Sequence, residues 1–299
     1  MEIKAEAKNK GYLYWALSAL TLLVTLFPGI SRASALMEDS ARLVLVLIQI
    51  GTLFTAMLCF QRIFAEAETK LPVYFGVLLY MTCPYRIYVC YESAELSEAA
   101  AWLLLPLCIW AFVGITRCRN LKNLAAAVFA LAAVIGLGLF MFEDIYYDIG
   151  FTVKSIMGDG YRFGEYFQSF DCKEGHPGMG LGMLICLLTG AWMAFVKGVK
   201  EEHRICKFFA LAAGVLTVLS FYLFPWDMVQ RLGDWALIFV SVMGTPAIFW
   251  GMALVCLCVP AACAMDRISR DENKLVAVGV PVTVIMACLG VCAYQCSRL

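Results

Sequence analysis

The sequence predicts an all-α integral membrane protein, a helix bundle of about nine spans, and three observations carry that expectation. Hydrophobic residues make up 62% of the 299 and charged residues 15%, too little polar material to cover a soluble surface. The apolar residues are gathered into runs close to the roughly 20 that a bilayer crossing needs. The basic residues fall in alternate connections, as membrane orientation demands. A single transmembrane domain over residues 1–299 follows, with no room for a sizeable water-soluble one.

The runs, in order, are Tyr12 to Ile30, Leu43 to Phe60, Leu71 to about Cys90, Ala99 to Ile115, Leu124 to Phe142, Met179 to Val196, Phe208 to Phe224, Pro246 to Met265 and Leu275 to Ala293. The first follows a Lys-rich start and precedes Ala33-Ser34-Ala35, an imitation of a signal-peptide cleavage site. It is longer than a usual signal core and has Arg32 just ahead of the site, so an uncleaved helix is expected. The third holds only Leu71 to Thr82 before Cys83-Pro84-Tyr85-Arg86, about 18 Å of a hydrocarbon core roughly 30 Å thick. It must continue through Pro84 or stop short. Ahead of the eighth, Trp235 to Met265 is too long for one crossing and is broken at Gly244-Thr245-Pro246, which reads as an interfacial or re-entrant piece followed by one span. The other runs are uninterrupted.

Charge orients the bundle. With a cytoplasmic N-terminus, 15 of the 23 basic residues lie inside, among them Lys4, Lys8, Lys10, Arg62, Arg117, Arg119, Lys197, Lys200, Arg267 and Lys274. Of the 23 acids, 14 lie outside, and the longest outer loop spans 143–178. The formal net charge of zero is therefore a cancellation between an inner face near +6 and an outer face near −6. Neutrality argues against a nucleic-acid partner, and the acidic outer face is where chemistry is to be sought. Of 14 cysteines, most sit inside apolar runs, where small polarizable side chains serve helix packing. There is no CxxC spacing, so no metal site and no cofactor is expected; Cys83, Cys90 and Cys172 are assigned no disulfide.

Three outer constellations stand out. Tyr91-Glu92-Ser93-Ala94-Glu95-Leu96-Ser97-Glu98 places three carboxylates at spacing three, on one arc of a helix start, with Tyr85 and Arg86 just ahead. Such acids suit a helix N-terminus, and they also make a patch able to hold a polar or cationic group. Gly160-Tyr161-Arg162-Phe163-Gly164-Glu165-Tyr166-Phe167 interleaves aromatic faces with one charge of each sign, a composition that suits sugar rings and equally an interfacial belt. The nearby Asp171, Cys172, Glu174 and His176 lack the spacing of a strong metal site and read as a solvated loop. Phe224-Pro225-Trp226-Asp227 through Arg231 to Trp235 frames a short amphipathic stretch between two Trp, an interfacial anchor in which Asp227 and Arg231 can pair at i, i+4.

These same places carry a resemblance. Leu78-Leu79-Tyr80, Pro84-Tyr85-Arg86, Tyr91, Glu98 and Leu103-Leu104-Leu105-Pro106-Leu107 resemble the signature of YfhO-like bacterial membrane proteins, which carry a 6-pyruvoyl-tetrahydropterin-synthase-related membrane domain and belong with the GT-C polytopic glycosyltransferases. Arg162 to Ser169 is similar to that family's outer loop, and Phe224-Pro225-Trp226-Asp227 to its next element; order and spacing agree over roughly Leu43 to Met265. The resemblance implies a GT-C-like arrangement in a bacterial plasma membrane. It implies a polyprenyl-phosphate-linked sugar donor and transfer on the outer face to a cell-envelope acceptor. On that footing Glu95 and Glu98 are the candidate catalytic bases, Arg86 and Arg162 the phosphate contacts, and Tyr85, Glu165, Trp226 and Asp227 the remaining substrate-binding residues.

The departures matter too. Ser93 stands where the family has an Arg, Gly244 to Trp250 lacks an expected Arg, and Ser31 to Arg42 is too short to be the family's long first outer loop with its Asp and His. A shortened relative is expected, either a weak transferase or a non-catalytic partner in a membrane complex. A small-solute permease is the less favoured alternative, because no span shows an obvious acid or base near its middle.

Overall fold

The computed structural model describes residues 39–65, 67, 70–91, 96–117, 160–168, 177–179, 181–195, 202–231, 246–269 and 273–298, with isolated helical positions at 23, 125 and 128. Among these residues the chain is helical apart from turns and one parallel bridge between Tyr161 and Phe221. The helices are α1 (Asp39–Ile63), α2 (Leu71–Met81), α3 (Pro84–Tyr91), α4 (Leu96–Arg117), α5 (Leu181–Phe195), α6 (Glu202–Ser220), α7 (Trp226–Gln230), α8 (Ala247–Ile268) and α9 (Lys274–Arg298), with a 3-10 turn at Glu165–Phe167 before α5.

Two stretches are long and apolar enough to cross a membrane, Ala41–Ile63 and Ile248–Ile268. A third arises if α2 and α3, bent by 46°, are one broken span. Ala99–Gly114, Leu184–Phe195 and Leu275–Gly290 are apolar but shorter. The described helices thus supply two or three full-length crossings against the nine apolar runs of the sequence. The runs at Tyr12–Ile30 and Leu124–Phe142 and the re-entrant piece before Pro246 lie outside the described residues.

The outward faces match hydrocarbon better than water. Leu43, Leu47, Ile50 and Phe54 on α1 are exposed at helical spacing, as are Ile185, Leu188, Trp192 and Phe195 on α5 and Phe208, Leu211, Val215 and Val218 on α6. A soluble helix turns such a stripe inward. Inside, α8 is the hub, packed by α2, α5, α6 and α9, while α1 lies against α2 and α4.

The break between α2 and α3 follows from Pro84, whose missing N–H cannot reach the carbonyl of Tyr80. That carbonyl takes the amide of Cys83 at 3.3 Å, and Leu78 O receives both the amide of Thr82 at 2.9 Å and its Oγ1 at 2.8 Å. Arg86 Nη2 reaches back to Met81 O at 2.6 Å. Pro84 then opens α3 from the first-turn position it favours. The carbonyls of Leu78, Tyr80 and Met81 thus keep partners across the break, as burial requires.

The same logic explains Tyr80. Pro106 lies inside α4 and strips Trp102 O of its helical partner; the Tyr80 hydroxyl donates to that carbonyl at 2.5 Å, and Thr55 Oγ1 donates to the adjoining Leu103 O at 3.0 Å. Tyr80→Phe should therefore cost about 1 kcal/mol. With Pro106→Ala in place the amide returns and the cost should fall towards zero. Thermal unfolding of the four proteins of this cycle in one detergent checks it; an equal loss in both backgrounds would show that the hydroxyl does not serve the kink.

Candidate functional site

Aromatic residues of the three sequence segments, far apart along the chain, meet one turn of α8. Phe249, Trp250 and Gly251 each receive one segment. Trp226 stacks on Phe249 with ring centroids 5.9 Å apart and planes within 19°. Tyr166 meets Trp250 edge to face at 4.6 Å, with Tyr161 tilted against the same indole at 6.0 Å. Tyr85 lies over Gly251, where an added Cβ would come within 2.8 Å of the ring's Cε1. Gly251 is glycine because the Tyr85 ring occupies the place of a side chain. Trp102 closes the other side of Tyr85, its ring centroid 5.9 Å away.

Arg86 is the charged residue among the described ones that is buried, at 0% exposure. Its Nη1 donates to Gln49 Oε1 from α1 and its Nη2 to Met81 O. Arg86 Nε and Gln49 Nε2 both lack a hydrogen-bond partner. Gln49 lies about three residues, or roughly 5 Å, from the middle of its span, so the guanidinium sits deep in the bundle. Arg86, counted with the outer residues from the sequence, is thus buried against the middle part of a helix long and apolar enough to span a membrane. In this structure the guanidinium is closed off from the surface.

The segment 160–168, expected from the sequence to lie outside, is pinned to the ends of α5 and α6. Tyr161 N donates to Ser220 O at 2.8 Å, Tyr222 N to Tyr161 O at 3.0 Å, Met179 N to Tyr166 O at 3.2 Å and Tyr161 OH to Pro177 O at 3.1 Å. Gly178 is needed at this seat, since a Cβ there would run into the carbonyl oxygens of Glu165 and Gln168. Glu165 Oε2 accepts the backbone amide of Arg162 at 2.8 Å, leaving the exposed Arg162 side chain pointing away from the core.

Burial pushes the Tyr166 phenol up to about 12, with the hydrogen bond to Ser220 Oγ (2.9 Å) pulling down and the Glu165 charge adding to the rise. A folded-state value above the unfolded one of about 10 stabilises below pH 10, and that contribution is lost as pH rises from about 10 to 12. Tyr166→Phe should flatten thermal stability across that window; an unchanged alkaline profile would show that the phenol does not titrate there.

The candidate residues therefore divide. Tyr85, Tyr166's neighbour Glu165, and Trp226 are drawn to the α8 turn or its rim, and Arg86 lies below Tyr85 on α3. Arg162 is exposed at the edge. Glu98 lies in the first turn of α4, but its side chain, like that of Asp227 on α7, lies outside the described residues, as does the whole of Glu95. The His176 loop also lies outside them. Two residues escaped the sequence reading: Gln49, whose signal was an amide inside an apolar run, and Trp250, whose segment was noted only for its missing Arg.

Chemically the turn offers aromatic faces, two indole N–H groups without partners on Trp226 and Trp250, and a guanidinium beneath. Comparison with protein-family models, curated proteins and solved structures gives no match to this chain.

Proposed function

We propose that this chain is a multi-pass protein of a bacterial plasma membrane, with a cytoplasmic N-terminus, that handles a polyprenyl-phosphate-linked sugar on the outer face in cell-envelope glycan metabolism. Its role is that of a weak GT-C-like transferase or of the non-catalytic subunit of a membrane complex. The observation that carries this reading is the convergence of the Tyr85-Arg86, Glu165-Tyr166 and Trp226 segments on Phe249-Trp250-Gly251. These are the segments on which the family resemblance rests, and aromatic faces suit a sugar. Arg86 is the natural phosphate partner, reached by turning α3 about the Thr82-Cys83 break.

The test is incorporation of labelled sugar from a polyprenyl-phosphate donor in proteoliposomes. Transfer that falls at least tenfold in Trp250→Ala and Arg86→Lys, with folding intact by thermal melt, supports it. Transfer unchanged in both would remove the site.

One observation favours a second reading. Broken helices flanking a buried charge are also how transporters build solute sites, and the bent α2–α3 pair with Arg86 has that form. Accumulation of a labelled anionic solute by the same proteoliposomes, lost in Arg86→Lys while no sugar is transferred, would establish it instead.

A further inference from the structure

Between the outer segment and helices α5, α6 and α8 lies a cleft of about 340 Å³, within the size range of small-molecule sites. Its wall runs along α8 from Trp250 to Leu257, seven residues or about 10 Å. We propose that this cleft holds one acyl chain of a membrane phospholipid, its glycerol end at Trp250 and its phosphate at Arg162.

The lining decides the chemistry of the occupant. Its hydroxyls are already used: Tyr166 OH is paired with Ser220 Oγ at 2.9 Å, and Thr217 Oγ1 donates to Ala213 O at 2.8 Å. The remaining walls are Leu184, Leu188, Val218 and aromatic rings, which offer no hydrogen bond to a polar ligand. A chain that is apolar along its length matches these walls.

The surroundings decide its source. The lips Leu188, Val218 and Phe163 are exposed, and on α5 and α6 they continue into the exposed stripes of Ile185 and Trp192 and of Leu211 and Val215. The cleft therefore opens onto the face that hydrocarbon covers, not onto water. Arg162, exposed and next to the lip residue Phe163, supplies the charge complementary to a phosphate, while Glu165, the neighbouring carboxylate among the described residues, accepts the Arg162 amide. The inference rests on the membrane-spanning reading above and on none of its sugar chemistry.

The full chain in detergent is incubated with dioleoyl phosphatidylglycerol, alone and against an equal amount of undecaprenyl phosphate, and its retained lipid is read by native mass spectrometry. The expected result is one phospholipid per chain. Retention should fall roughly tenfold in Leu184→Trp and in Val218→Trp, which fill the cleft from two helices, and stay unchanged in Leu211→Trp, on the lipid-facing stripe outside it. Two cleft variants guard against one failing to fold. Equal retention in wild type and both cleft variants, or displacement of the phospholipid by undecaprenyl phosphate, would overturn the proposal. Release of the chain from native membranes by alkaline carbonate would overturn the membrane reading itself, a separate outcome.

Discussion

Gln49→Leu should destabilise the protein by about 2 to 3 kcal/mol, the worth of a hydrogen bond to a charged donor, whereas Arg86→Met should leave stability unchanged or raise it. The opposite signs follow from what each change leaves behind. Without Gln49 the guanidinium stays buried with Met81 O as its remaining partner and loses half of its compensation. Without Arg86 the buried charge itself disappears. Replacing buried ions with apolar side chains of similar volume is neutral or stabilising by about 1 to 4 kcal/mol in other proteins, and the loss of the donors to Met81 O and Gln49 Oε1 offsets part of this. No carboxylate among the described residues contacts Arg86 within hydrogen-bonding reach, so no acid is orphaned by the change. Thermal denaturation in a single detergent reads both variants. A large loss in Arg86→Met would show instead that the guanidinium stabilises the fold.

A side chain that destabilises its own fold is retained for what it does, so Arg86→Met should also be the variant that separates stability from function. Arg86→Lys makes the complementary point. A point charge on a flexible stem cannot serve Gln49 and Met81 O together as the planar fork does, so the break between α2 and α3 should loosen while the charge is kept.

How far the sequence reveals this arrangement differs from element to element. Leu43 to Phe60 lies inside α1 and Pro246 to Met265 nearly coincides with α8, because a long apolar run satisfies its backbone within itself by forming a helix. Pro84 marked the break, yet its consequence was not legible: whether the chain stops or bends there depends on Arg86, Thr82 and Cys83 capping the freed carbonyls, which is a matter of geometry. Tyr80 was legible only as part of a family signature, and its task, closing the carbonyl left open by Pro106 of another helix, exists only in three dimensions. The site was legible as three motifs and illegible as one place. Periodicity fixes which face of a helix is apolar, but it carries no information on which residues of α8 the outer segment and α7 will meet. Phe249-Trp250-Gly251 had a signal in hindsight, two aromatics followed by the residue that leaves room for a third ring.

Gly190→Ala should be among the most damaging single-methyl changes in the protein. The Cβ it adds on α5 would collide with the Cα of Ala261 and lie 2.6 Å from its amide nitrogen and 2.9 Å from the carbonyl carbon of Pro260 on α8. All three are backbone atoms, so no side chain can swing aside and the two helices must part. Overpacking of this kind costs about 1 to 3 kcal/mol, and the rigid neighbours place it at the upper end. Parting α5 from α8 also separates Leu184 and Leu188 from Trp250 and Leu257, opposite walls of the acyl cleft, so phospholipid retention should fall with stability. Gly214→Ala on α6 supplies the contrast. Nothing lies within 4 Å of its added methyl, and a mid-helix glycine replaced by alanine gains about 0.5 to 1 kcal/mol. The same chemical change on two neighbouring helices should thus move the melting temperature in opposite directions; a gain or no change in Gly190→Ala would mean that α5 and α8 do not meet backbone to backbone.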